Sequence, residues 1–118
     1  MNPRRSPTQL AGDAAESKAL DFLRARGLHP VARNVSSKLG EIDLIMRDGD
    51  ELVFVEVRAR SRSDYGGAAA SVGPIKQSRL RRAAQRWLAG NYGNRWPACR
   101  FDVCALQGSE IDWIRGAF

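Results

Sequence analysis

The feature that most constrains the fold is a pair of alternating segments, GEIDLIMR at 40–47 and ELVFVEVRAR at 51–60, set around Asp48-Gly49. Period-two alternation on both sides of such a dipeptide predicts a β-hairpin. With Asp48-Gly49 as a two-residue turn, Arg47 pairs with Asp50, Asp43 lies opposite Phe54 and Glu41 lies opposite Glu56. Side chains along a strand alternate between faces. Glu41, Asp43, Phe54, Glu56 and Arg58 are therefore expected on one face, and Ile42, Leu44, Val53, Val55 and Val57 on the other, which is core. Asp43 and Glu56 become diagonal neighbours, roughly 6–8 Å apart at the backbone. Facing like charges destabilise a sheet. The repulsion needs an offset: a divalent cation, Arg58, or a raised pKa. Oxygen ligands at this density suit a hard cation such as Mg2+. A solvated polar face balanced by Arg58 and Arg60 accounts for the same pattern without a site.

Around the hairpin, a helix is expected from Thr8 to Arg26, with Thr8 as N-cap and Gly27 as its stop. Leu10, Ala14, Ala15, Ala19, Phe22 and Leu23 give its apolar stripe. Residues 28–37 suit an edge strand, since Pro30 cannot donate to a ladder. Residues 61–72 lack periodicity and predict a mobile loop. Gly73-Pro74 then opens a second helix that ends near Leu88 or Ala89, at Gly90 or the Asn91–Gly93 turn. Leu80, Ala83, Ala84, Trp87 and Leu88 form its core stripe. CRFDVCAL at 99–106 and EIDWI at 110–114 are the last strands. The order α-β-β-β-α-β-β implies an α/β domain, a mixed sheet of about five strands with flanking helices.

The chain's 118 residues suffice for one domain, 8–118, after a disordered basic arm at 1–7. No run of 18 apolar residues exists, so no membrane span is expected, and MNPRRSP lacks the apolar run of a secretory signal. Cys99 and Cys104 fall on opposite faces of one strand, too far apart to bridge, as suits reduced thiols in a cytoplasmic protein. The net charge is +6, and all basic residues except Lys18, Lys38 and Lys76 are arginine. Arginine forks onto phosphate, although a codon bias toward arginine gives the same composition. On the second helix Lys76, Arg79, Arg82 and Arg86 fall on one side, at spacings of three or four, beside the apolar stripe. This stripe suits tracking of a DNA or RNA backbone, or simply a solvated face. Arg58, Arg60 and Arg62 continue the positive run into the loop, where Tyr65 either stacks on a base or packs the loop down. Trp87 belongs to the core, while Trp96 and Trp113 suit a sheet edge or a self-association surface. His29, the chain's one histidine, is remote in sequence from the acids.

GEIDLI followed by FVEVR, with Asp43 and Glu56 thirteen residues apart, resembles the core of the PD-(D/E)xK nucleases. The match is nearest to the YraN family, whose members are similar to archaeal Holliday-junction resolvases. The likeness spans nearly the whole chain: GDAAESKALDFLRARG with Glu16, the segment Ala32–Asn34, Lys76, RFDV at 100–103 and Ala117-Phe118. The resemblance implies a restriction-endonuclease-like fold in which Asp43, Glu56 and the Val57 carbonyl bind Mg2+ or Mn2+. Glu16 would reach in from the first helix, directly or through water. It implies metal-assisted phosphodiester hydrolysis. The family's motif lysine is replaced here by Arg58, which keeps the charge but is a poor general base. Lys76 is a candidate substitute. Three readings stand: a metal-dependent endonuclease, for which the resemblance suggests branched DNA and, on a symmetric junction, a homodimer; a nucleic-acid-binding module without turnover; and a small interaction or scaffold protein.

Overall fold

The computed structural model describes residues 6–59 and 72–118. Residues 1–5 of the expected basic arm, Arg60, and the expected loop at 61–71 with Arg62 and Tyr65 lie outside them; residues 6 and 7, expected in the arm, instead cap and open the first helix. The elements run α1 (Pro7–Ala25), β1 (His29–Ser37), β2 (Gly40–Asp48), β3 (Glu51–Ala59), α2 (Pro74–Tyr92), β4 (Cys99–Gln107) and β5 (Glu110–Ile114). This is the expected α/β order. The sheet follows chain order, β1-β2-β3-β4-β5. β3 and β4 are parallel, joined across the sheet through α2, and every other neighbouring pair is antiparallel. β1 is an edge, and its register slips between Pro30 and Ala32, where the missing proline N–H would otherwise break a ladder bond.

The sheet lies between the two helices. Ala19 and Leu23 of α1 pack with Leu44, Met46, Val53, Val55, Cys104 and Leu106. Leu80, Ala83, Ala84 and Leu88 of α2 pack with Ile42, Ile45, Leu52, Phe54 and Val103 on the opposite face. Trp87 sets its ring edge-on to Phe54 at 6.1 Å and belongs to this second core. Trp113 meets Phe22 of α1 at 6.3 Å, so it covers the sheet beside the edge strand β5. Cys99 and Cys104 are free thiols on opposite sides of the sheet, as alternation requires. Among the described residues no helix is long and apolar enough to cross a membrane.

Three boundaries differ from the sequence expectation, each for a local reason. The N-cap of α1 is Ser6, not Thr8. Its hydroxyl accepts from the Gln9 N–H at 3.1 Å, and the Gln9 side chain accepts from the Ser6 N–H at 2.8 Å. A reciprocal capping box and a proline at the first helical position outweigh Thr8. α2 continues through Gly90 to Tyr92 and stops at Gly93, whose φ of 65° is one that glycine adopts freely. The hairpin pairs Asp48 with Glu51 and Arg47 with Leu52. The turn residues are thus Gly49-Asp50, with positive φ, 61°, at Gly49 alone. That is the two-residue turn with glycine in the first central position. The register moves by two, which preserves face parity, and its continuation sets Asp43 level with Glu56 rather than Phe54.

One expectation fails within β2. Ile42 joins the α2-side core, whereas Leu44 joins the α1-side core. Residues two apart on a regular strand share a face, so the alternation reverses at Asp43. The neighbouring strand reverses at the same level. Arg33, paired with Leu44, bonds to α1, while Val35, paired with Ile42, packs on the α2 side. Between them Asn34 has φ 55°, the one non-glycine residue among those described with positive φ.

Candidate functional site

The strand reversal places Asp43 at a joint of the sheet open to both helices. Toward α1, a cleft of about 380 Å³ is lined by Gly12, Ala15, Glu16, Asp43, Glu56 and Val57. Toward α2, one of about 600 Å³ is lined by Glu41, Asp43, Glu56, Pro74, Lys76 and Arg79 among others. Asp43 and Glu56 line both. The Val57 N–H donates to Asp43 Oδ2 at 2.9 Å and fixes that carboxylate against β3.

The acids divide into two groups that meet at Asp43. Glu16, Glu41 and Asp43 each offer a carboxylate oxygen, and these atoms lie within 4.8 Å of one another. Glu16 is buried, 9% exposed. Its side chain accepts from Arg33 Nε at 3.4 Å. On the other side Glu56, 7% exposed, is ion-paired with Lys76, Nζ to Oε1 being 2.6 Å. Lys76 thus reaches the acids from the first turn of α2.

Burial and proximity shift the protonation of this cluster. Asp43 is pushed up to about 7, first because burial disfavours its charge and then because Glu56 lies close; the Val57 hydrogen bond opposes both. Glu16 is also raised, mainly by burial, with Arg33 pulling the other way. Excess negative charge of this kind is relieved either by protons or by a cation.

The residues expected from the sequence fall into three sets. Asp43, Glu56, Glu16 and Val57 come together, with Lys76 on Glu56 and Arg79 at the cleft rim. Arg82 and Arg86 are exposed further along α2, away from the cleft lining, and Arg58 is half-buried on β3 two residues beyond Glu56. Arg60 and Arg62 lie outside the described residues. Glu41 was recognisable on the acidic face, but its place beside Glu16 depends on the strand reversal. Asn34 and Arg33 carried no signal beyond the resemblance of Ala32–Asn34. His29 is exposed on β1. Trp96 is 45% exposed, with its indole N–H bonded to the Gly93 carbonyl at 2.7 Å.

Residues 15–106 match the model of Uncharacterised protein family UPF0102. A UPF0102 protein of Ralstonia nicotianae is 57% identical over 122 residues, covering 98% of this chain and 93% of the relative. A UPF0102 protein of Bordetella parapertussis is 53% identical over 117 residues, covering 96% of this chain and 66% of a longer relative. The UPF0102 protein YraN of Escherichia coli is 49% identical over 118 residues, covering 99% of this chain and 90% of the relative.

Proposed function

The chain belongs to the uncharacterised family UPF0102, and we propose that it is a nucleic-acid-binding, divalent-metal-dependent phosphodiesterase whose site centres on Asp43. The observation that carries this reading is the sharing of both clefts by Asp43 and Glu56, with Glu16 from the α1-side cleft and Glu41 from the rim of the α2-side cleft each bringing a carboxylate oxygen close to Asp43. The donor set fits Mg2+ or Mn2+: it is all oxygen, it is anionic, and Asp43 holds a proton to about pH 7 where no cation compensates it. Asp43, Glu56, Glu16 and the Val57 carbonyl are the residues to hold the ion. A bound divalent cation supplies charge neutralisation at the scissile phosphate and an acidified water.

The chain's own groups have the remaining tasks. Lys76 and Arg79, at the rim of the α2-side cleft, attract and orient the phosphate. Arg82 and Arg86, one and two turns further along α2, follow the flanking backbone without reading bases. Arg58 adds charge beyond Glu56 and does not serve as a base, because its guanidinium stays protonated. The test is incubation with branched, nicked and single-stranded DNA and with RNA, with Mg2+ or Mn2+ and with chelator. Metal-dependent cleavage supports the reading. Binding without cleavage favours a module without turnover, the reading to which Arg58 in the motif-lysine position leans. Absence of both contradicts the proposal.

The double variant Arg82→Ala/Arg86→Ala is expected to weaken nucleic-acid binding at low salt and to lower the slope of log K against log salt by about 1.8, two phosphate contacts' worth. Fluorescence anisotropy across a salt series checks it. Mn2+ affinity measured by calorimetry should not change, because neither arginine lines the acid clefts.

A further inference from the structure

Asn34 combines two unusual properties. It stands in the middle of an edge strand with φ 55°, a left-handed conformation that asparagine tolerates better than other residues with a β-carbon but that is rare within strands. Its amide also faces two carboxylates. With the amide nitrogen turned toward the acids, it donates to Glu16 Oε1 at 2.7 Å and to Glu41 Oε1 at 3.0 Å. The reverse orientation sets the amide oxygen against carboxylate oxygens, so the hydrogen-bond network decides the assignment.

We propose that Asn34 is a positioning residue that holds Glu16 of α1 and Glu41 of β2 together as a carboxylate pair beside Asp43, ready to take a divalent cation. This rests on the metal-site reading above and extends it to a residue that touches no ion.

The chemistry favours an amide here over a charged group. A lysine or arginine bridging the two acids would neutralise them and compete with an incoming cation, as Lys76 does on Glu56 at 2.6 Å. A primary amide has two donor hydrogens and no charge. It draws the carboxylates together without adding a charge of its own, so that Glu16 keeps only its longer contact with Arg33 Nε at 3.4 Å as a cationic partner among the ion pairs described. Arg33, on the preceding residue, braces the far side: its guanidinium donates to the Asp13 carbonyl at 2.9 Å and to Ser17 Oγ at 3.0 Å, tying β1 to the segment of α1 that carries Glu16. The backbone reversal at Asn34 is what directs Arg33 toward α1 while Val35 packs on the opposite side. Conformation and side chain thus serve one arrangement.

The test separates these two roles. Asn34→Gly keeps the backbone at ease at positive φ and removes the amide. Asn34→Ala removes the amide and places a β-carbon in the unfavourable conformation. Each is titrated with Mn2+ by calorimetry and melted without metal. Both variants are expected to bind Mn2+ about 10-fold more weakly than wild type, the lower end of the range for groups that orient metal ligands. Only Asn34→Ala should also melt at clearly lower temperature than wild type. An Asn34→Gly protein that binds Mn2+ as tightly as wild type overturns the positioning role. Loss of affinity in proportion to loss of melting temperature also overturns it, since that marks a purely structural residue. A wild-type protein that takes up no Mn2+ defeats the metal site itself, and that failure is visible before any variant is compared.

Discussion

Asp43→Asn should eliminate Mn2+ binding and metal-dependent cleavage while making the metal-free protein more stable at pH 8. The two effects share a cause. Asp43 titrates near 7 in the folded chain against an ordinary value of 3.8, because burial and Glu56 disfavour its charge. A raised carboxyl means that the folded state binds more protons than the unfolded state between those values. Stability then falls as pH rises through that window, and the full cost stands above it. The ceiling for one such group is about 4 kcal/mol, reduced in practice by relaxation and by water entering the cleft. Asparagine keeps the shape and an oxygen to accept the Val57 N–H, but carries no charge. Its advantage over wild type in metal-free melts should be largest at pH 8 and vanish toward pH 4. Saturating Mn2+ should flatten the wild-type profile and leave the variant unmoved. A wild-type protein whose metal-free melting temperature rises from pH 5 to pH 8 would contradict the assignment, provided Asp43→Asn shows the same rise.

Asp102→Ala should have the largest effect on stability and little on the chemistry. Asp102 is fully buried on β4. Its carboxylate accepts from Arg100 Nε at 3.0 Å, from the Trp113 indole N–H at 2.9 Å and from the Gly116 N–H at 3.0 Å. Arg100 in turn reaches Asp48 at 2.9 Å and Glu51 at 2.7 Å, at the β2–β3 turn. One side chain therefore ties β4 to β5, to the segment after β5 and, through Arg100, to the hairpin. Truncating it removes the acceptor of the half-buried Trp113 indole N–H, of the Gly116 N–H and of one edge of the Arg100 guanidinium. Arg100 keeps Asp48 and Glu51 as partners, so the loss expected is that of the hydrogen bonds to the carboxylate, about 3 kcal/mol, which in a domain of this size lowers Tm on the order of 10 °C. Asp102→Asn, which preserves the acceptor for Trp113, should lose less. Thermal denaturation measures both, and Mn2+ affinity below the transition should match wild type. A variant that melts within a few degrees of wild type would show that the network contributes little.

How much of this was legible in the residues depends on what each feature requires. Element order, the α2 stripe and the acidic strand pair are periodic signals, and they appear where the periodicity put them; the α1 stripe holds from Ala15 onward, whereas Leu10, 56% exposed, and Ala14 in the first turns face away from the sheet. The hairpin register was ambiguous because Asp48-Gly49-Asp50 offers two dipeptides with glycine in either central position. The choice changes the register by two and leaves parity intact, so Asp43 and Glu56, expected as diagonal neighbours, remain neighbours and become directly opposed. The reversal at Asn34 and Asp43 has no periodic signature. It depends on one backbone angle, and the sole hint is that asparagine is the residue to accept it. Glu41 was therefore visible as an acid on the face but not as a neighbour of Glu16. Asp102 did leave a trace: an aspartate inside the apolar run FDVCAL must find a partner, and Arg100 two residues earlier shares its face. Lys76 was placed at the boundary of the α2 stripe by helical spacing, and its contact with Glu56 follows from that position.

The most direct measurement is anomalous diffraction from crystals soaked in Mn2+ at pH 8. The account predicts a manganese peak at ligand distance from Asp43 and from at least one of Glu16, Glu41 and Glu56. Crystals with no such peak, or with manganese bound only at sites that leave Asp43 untouched, would contradict it.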